Sequence, residues 1–253
     1  MQYTEQEHPI SILWNNVSRP TGYVAIITNI GEDVDKYNNL AQLLNCHGFV
    51  VLVLRNTATR FCNIDRFVQS AVNQIQGMDQ QNKLSWVLIG TGYGTIVAQQ
   101  IQKKSKCARA CISVSNMAGI GAIKLQSWAV LSQIGKCIFG KNCTADRICR
   151  HMHIPQHTYD ECYYIIKQIK QYGMHVSPTI PTLVINGGAD ISYPSGQLAR
   201  TLYNTYNEQM AENLTLLIYP DACDTPLFDQ DRDMVHTDIM EFIVQNTRCY
   251  AQK

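Results

Sequence analysis

Short apolar runs alternate with amphipathic stretches along most of this chain. The runs are YVAIIT from Tyr23, VVLVLR from Val50, SWVLIG from Ser85, ACISVS from Ala110, TLVING from Thr182 and LTLLIYP from Leu214. Most are apolar at nearly every position, as expected of strands buried on both faces of a parallel sheet. A further run, ISILW from Ile10, predicts an edge strand. Between the runs, apolar residues return at helical spacing. Tyr37 to Cys46 carries Leu40, Leu43 and Leu44 on one face, and Ile64 to Ile75 carries Phe67, Val68, Ala71 and Ile75. Thr95 to Lys103 follows a glycine-rich turn, and Gly196 to Tyr206 and Met234 to Val244 complete the helical set. Such alternation predicts the α/β class: one domain over 1–253, built on a doubly wound, mostly parallel sheet with helices on both faces.

The alternation breaks once. Between Ser115 and Pro181 no strand-like run stands out, while Ala122 to Ile138 and Tyr159 to Tyr172 look helical. We read 116–180 as a helical cap inserted above the strand ends, where open α/β sheets place their ligands. The alternative is a structural side-pack.

Composition narrows the function classes. With 253 residues, 45% of them hydrophobic, the chain can bury a large core. A net charge of +1 argues against a general nucleic-acid binder. No apolar run reaches the length of a membrane span. The start, MQYTEQEHPISILWNN, has no basic head followed by an apolar stretch, so no signal peptide is expected. Ten cysteines without an export signal read as free thiols in a reducing cytoplasm. The stretch Cys137, Cys143, Cys149, His151, His153, His157, Cys162 holds zinc-ligand types, but it has no C-x-x-C pair and matches no finger or ribbon spacing. Scattered core cysteines and surface histidines are the expectation there, with no metal and no cofactor.

The segment Trp86-Val87-Leu88-Ile89-Gly90-Thr91-Gly92-Tyr93-Gly94-Thr95 reads as a strand, a sharp turn and a helix start. It resembles the G-x-S-x-G nucleophile elbow, in which small flanking residues let strand and helix approach and the central residue is held in a strained conformation. Gly90 and Gly94 match the outer glycines, and Gly92 stands where serine is expected. The Rossmann and P-loop fingerprints do not fit: the third Rossmann glycine is displaced, and no G-x-x-x-x-G-K-[ST] is present.

Other segments, in chain order, resemble the monoglyceride lipase and lysophospholipase branch of the α/β-hydrolases. Gly31-Glu32-Asp33 through Tyr37, with Leu40 and Leu44, resembles its G-E-H…R-Y…L…L stretch, and Gly48-Phe49-Val50-Val51 its next strand entry. Ile180 to Gly187, then Asp190 and Pro194, resembles the strand and loop that carry the triad acid. Tyr219-Pro220-Asp221-Ala222-Cys223-Asp224 resembles the approach to the triad histidine, and Ile239, Phe242 and Ile243 the closing helix.

Carried over position by position, the resemblance implies an α/β-hydrolase fold with a degenerate triad. The acid is kept as Asp190, but Gly92 replaces the nucleophile and Asp224 the histidine. Ile30 and Tyr93 stand at the oxyanion-loop positions. The histidine-glycine dipeptide reads Thr28-Asn29, and the loop after the second strand reads Arg55-Asn56-Thr57-Ala58-Thr59, without glycine. Either Asp190 and Asp224 face one another and share a proton or a cation, or Asp224 turns to solvent. Replacement chemistry has few candidates. Thr91 and Tyr93 should point away from the pocket; Cys223 lacks a placed base; His236 reads as a surface or core-edge residue; His151, His153 and His157 lie in the cap.

Two classes of function follow. The first is a non-catalytic homologue that binds a small apolar or acyl-like ligand, or a protein partner. The second is an active esterase, lipase or lyase with an unconventional site. A different doubly wound protein, such as a nucleotide binder, is the remaining alternative.

Overall fold

A computed structural model of the chain describes residues 11–30, 32–56, 64–78, 84–115, 180–189, 213–222 and 225–248, with single helical positions at 171, 200 and 204. The elements are β1 (Ser11–Trp14), β2 (Gly22–Ile27), α1 (Asn38–Cys46, entered through the 3-10 turn Val34–Tyr37), β3 (Phe49–Leu54), α2 (Ile64–Met78), β4 (Trp86–Thr91), α3 (Gly94–Ser105), β5 (Ala108–Val114), β6 (Thr182–Gly187), β7 (Leu214–Tyr219) and α4 (Arg232–Arg248).

Among the described residues, seven strands form one sheet in the order β1-β3-β2-β4-β5-β6-β7. All neighbouring pairs are parallel except β1 against β3, where Ser11 faces Leu54 and Trp14 faces Val51. Thus the run from Ile10 is an edge strand, as its pattern predicts. The strands β3, β4 and β6 are buried at every position, the polar Thr91, Thr182 and Asn186 included, while β7, at the far edge, is only partly covered.

Successive strand residues point to opposite faces, so each run feeds two cores. Ala25, Ile27, Leu52, Leu54 and Leu88 pack with α2 and α3, through Phe67, Ala71, Ile75, Ile96, Val97 and Ile101. Val24, Ile26, Val51, Val53, Val87 and Ile89 pack with α1 and α4, through Leu40, Leu44, Val235, Ile239 and Ile243. The helix α2 continues to Met78, past the expected Ile75, and α4 runs from Arg232 to Arg248 rather than from Met234 to Val244. Polar terminal turns carry no apolar period, so periodicity alone undercounts them. The expected cap, 116–180, lies outside the described residues apart from the helical position 171 and the strand entry at 180; of Gly196 to Tyr206, positions 200 and 204 are described, and both are helical.

At α3 the helix meets the sheet with no space for a side chain. A Cβ on Gly94 would lie 2.3 Å from the Ile27 carbonyl oxygen and 2.5 Å from that of Thr28. A Cβ on Gly90 would lie 2.4 Å from Thr95 Cα. These neighbours are backbone and cannot rotate aside. Gly94→Ala should therefore destabilise the fold by about 1–3 kcal/mol or more, as overpacking does. Gly77, in α2, has nothing within 4 Å of the same added atom. There, Gly77→Ala should stabilise by about 0.5–1 kcal/mol. Urea melts of the two variants check the opposite signs.

Candidate functional site

The turn between β4 and α3 is the apex of the site. Gly92 has φ +52°, in the left-handed region that side chains disfavour. Its N–H donates to the Val114 carbonyl at 2.9 Å, so β4 stays joined to β5 up to the turn. Its carbonyl accepts from the Thr95 hydroxyl at 2.8 Å, which closes the first turn of α3. The positive φ expected for this position is thus present.

The elbow's neighbours point into protein. Thr91 is buried, and its hydroxyl lies 2.6 Å from that of Tyr37 and 3.3 Å from Glu32 Oε2. Tyr37 donates to the same carboxylate oxygen at 2.5 Å. Burial, and then the adjacent Glu32 carboxylate, push the Tyr37 phenol well above its ordinary value, so it remains a proton donor. The Tyr37 and Phe228 rings meet in a T-shaped contact with centroids 5.2 Å apart. Tyr93 is 1% exposed and belongs to the α2–α3 core. Neither Thr91 nor Tyr93 offers an exposed hydroxyl in the described structure.

Beneath the turn lies the loop after β2. Asn29 N–H donates to Glu32 Oε2 at 3.1 Å, and Asn29 O accepts from Glu32 N at 3.3 Å and from Thr28 Oγ1 at 3.0 Å. The Asn29 side chain reaches up to the elbow. Its Oδ1 accepts the Tyr93 backbone N–H at 2.9 Å. A Cβ built on Gly92 would fall 2.5 Å from Asn29 Cγ. Ile30, which with Tyr93 resembles the oxyanion-loop pair, is half-buried in this loop and packs against the α2–α3 core.

In sequence, Gly92 and Asn29 stand as two separate departures, and their contact is visible only in the fold. A signal was present: a residue is missing its side chain where one is expected, and another has gained one where glycine is expected. The Glu32–Tyr37–Thr91 cluster was missed too, because its members are spread over 60 positions of chain and each has a satisfactory local explanation.

Asp190 and Asp224 lie outside the described residues, as do Cys223, His151, His153, His157 and the cysteines from Cys137 to Cys162. The strands that lead to the two aspartates are adjacent. Gly188 N donates to Tyr219 O at 2.7 Å, and Ala189 N, one residue before Asp190, donates to Ala222 O at 3.0 Å. Tyr219 also donates to Asp238 of α4, tying the last strand to the last helix. His236 is 7% exposed, and its Nε2 lies 3.1 Å from the Leu227 carbonyl. It is a core-edge residue holding the turn before α4, not a surface one. Among the described residues, no helix is long and apolar enough to cross a membrane.

No family model and no curated protein sequence matches the chain. Solved structures do. A thermostable carboxyl esterase from Bacillus coagulans is similar over 94% of each chain, with 16% identity and a TM-score of 0.65. A soluble variant of monoglyceride lipase from Saccharomyces cerevisiae is similar over 93% of this chain and 91% of its own, with 10% identity and a TM-score of 0.64. Alpha/beta hydrolase domain-containing protein 10 from mouse is similar over 96% and 97%, with 13% identity and a TM-score of 0.62.

The buried His236 makes a pH prediction. Burial disfavours its imidazolium and outweighs the Leu227 carbonyl and Asp233, which favour it; its pKa is lowered from the ordinary 6.5. As pH falls, the unfolded chain takes up this proton first, so stability falls with pH below about 6.5. Melting temperatures between pH 8 and pH 5 should decline less steeply for His236→Gln, whose amide can still donate to Leu227.

Proposed function

We propose that this chain, which has the α/β-hydrolase fold, is a non-catalytic member of that fold that retains a binding role. The observation that carries the reading is Gly92: the apex of the strand–turn–helix, at φ +52°, has no side chain. Serine hydrolases attack through an Oγ at this apex, activated by a histidine that an acid orients. Here the position that resembles the histidine's is Asp224, which can neither accept the proton as imidazole does nor stabilise itself as a cation. Triad members act as a unit, so losing two removes most of what the third contributes.

Other hydroxyls do not compensate. Thr91 is buried, with its hydroxyl against that of Tyr37 and the Glu32 carboxylate. The pair that resembles the oxyanion loop, Ile30 and Tyr93, packs with the α2–α3 core, which supports a structural rather than a catalytic use of these positions. The ligand class in this reading is a small apolar or acyl-like molecule bound beneath a helical cap over 116–180, or else a protein partner on the same end of the sheet. The reading places the protein in the cytoplasm, in keeping with free thiols at Cys46, Cys107 and Cys111 among the described residues.

Purified protein should not turn over short-chain esters or monoacylglycerols, and a fluorophosphonate should not label it. Stoichiometric labelling at any residue would overturn the non-catalytic reading. A panel of fatty acids and monoacylglycerols separates the two binding classes. A ligand present at 100 times its Kd adds about 2.7 kcal/mol of stability, visible as a raised melting temperature; a flat response favours the protein partner.

A further inference from the structure

Two departures from the hydrolase pattern touch each other. Position 92 lacks a side chain where one is expected, and position 29 carries one where glycine is expected. The tip of Asn29 occupies the volume that a Cβ at 92 needs: Cγ at 2.5 Å, Oδ1 at 2.6 Å and Nδ2 at 2.8 Å. The same tip uses the elbow's amide, with Oδ1 accepting Tyr93 N–H at 2.9 Å. In acyl transfer, the amide following the nucleophile receives the substrate's carbonyl oxygen as it becomes an oxyanion. A carboxamide oxygen is the same kind of acceptor, a neutral sp² oxygen.

We propose that Asn29 is an internal occupant of the acyl-oxygen position: it interlocks with Gly92, and its carboxamide closes the Tyr93 amide to carbonyl and carboxylate oxygens. This rests on the elbow assignment made under the proposed function and goes further by naming what fills the site. The occupant is braced from behind. Its backbone N–H and C=O are both tied to Glu32, and Glu32 is held in turn by Tyr37 and by Thr91, the elbow's own strand residue. The contacts close a ring from Asn29 through Glu32 and Thr91 to Gly92–Tyr93 and back. An acceptor on so short and fixed a tether is already aligned, whereas a free carboxylate must give up translational and rotational freedom to replace it.

The interlock predicts a non-additive mutant cycle. Gly92→Ser alone should lower the melting temperature by roughly 3–8 °C, from left-handed strain and from displacing Asn29. In an Asn29→Gly background, the same serine should lower it by at least about 2 °C less, since only the strain remains. Closure of the amide is read separately, by titrating hexanoate while following the Tyr93 amide signal in ¹⁵N-labelled protein. That signal should move saturably in Asn29→Gly and stay still in the wild type. An additive cycle overturns the proposal. So does a Tyr93 signal that hexanoate moves equally in both proteins, or in neither. Asn29→Ala, which also removes the carboxamide, repeats both measurements if the glycine variant does not fold. Neither readout depends on turnover. Ester hydrolysis by the wild type would defeat the non-catalytic reading alone, and an additive cycle in a silent protein would defeat this inference alone.

Discussion

The contact between β2, β4 and α3 governs the geometry of this protein's candidate site. Gly90 and Gly94 let the first turn of α3 press onto backbone atoms of the sheet, and no larger residue fits at either position. That closeness is what brings the Tyr93 amide over the loop following β2. Were α3 displaced outwards by the bulk of a methyl group, Asn29 Oδ1 would lose its 2.9 Å bond, and the left-handed turn at Gly92 would have no reason to be so tight. The polar network below the turn follows from the same approach, since Thr91 meets Glu32 and Tyr37 only because β4 runs beside β2 to its end.

Much of this architecture was legible in the chain. Runs that are apolar at nearly every position, such as Phe49 to Leu54 and Trp86 to Ile89, have one economical solution, a parallel strand covered on both faces. The shorter run from Ile10 was readable as an edge. The positive φ at Gly92 could be anticipated too, because a G-x-G-x-G turn between a strand and a helix leaves the middle residue few conformations. Asn29 was not legible in the same way. Its partner, the Tyr93 amide, lies 64 positions away, and backbone donors leave no trace in residue identity. Likewise, periodicity placed His236 one turn before the core-facing Ile239. It could not show that the carbonyl of Leu227 would fold back to cover it.

The polar groups beneath the elbow are committed to one another. Glu32 Oε2 receives the Asn29 amide, the Tyr37 phenol and the Thr91 hydroxyl, and Asn29 receives Tyr93. Working active sites keep some donors aimed at a vacancy, at a cost in stability recovered only when substrate develops charge there. Donors that are satisfied internally, as those of Tyr37, Thr91 and the Tyr93 amide are, add stability and give up that readiness. Binding at this end of the sheet would then depend on shape and apolar contact more than on the elbow's amides.

The overlap of Asn29 with the space above Gly92 also constrains history. If an ancestor of this chain carried a side chain at position 92, Asn29 could not have adopted its present rotamer beside it, because the intruding Cβ would lie 2.5 Å from Cγ. The present rotamer of Asn29 therefore requires that position 92 carry no side chain. Once both were in place, a single reversion at either position would no longer recover the starting arrangement. Serine at 92 would meet the carboxamide, and glycine at 29 would uncover an amide with no nucleophile next to it. Recovering a side chain at 92 without a clash therefore needs both positions to change together.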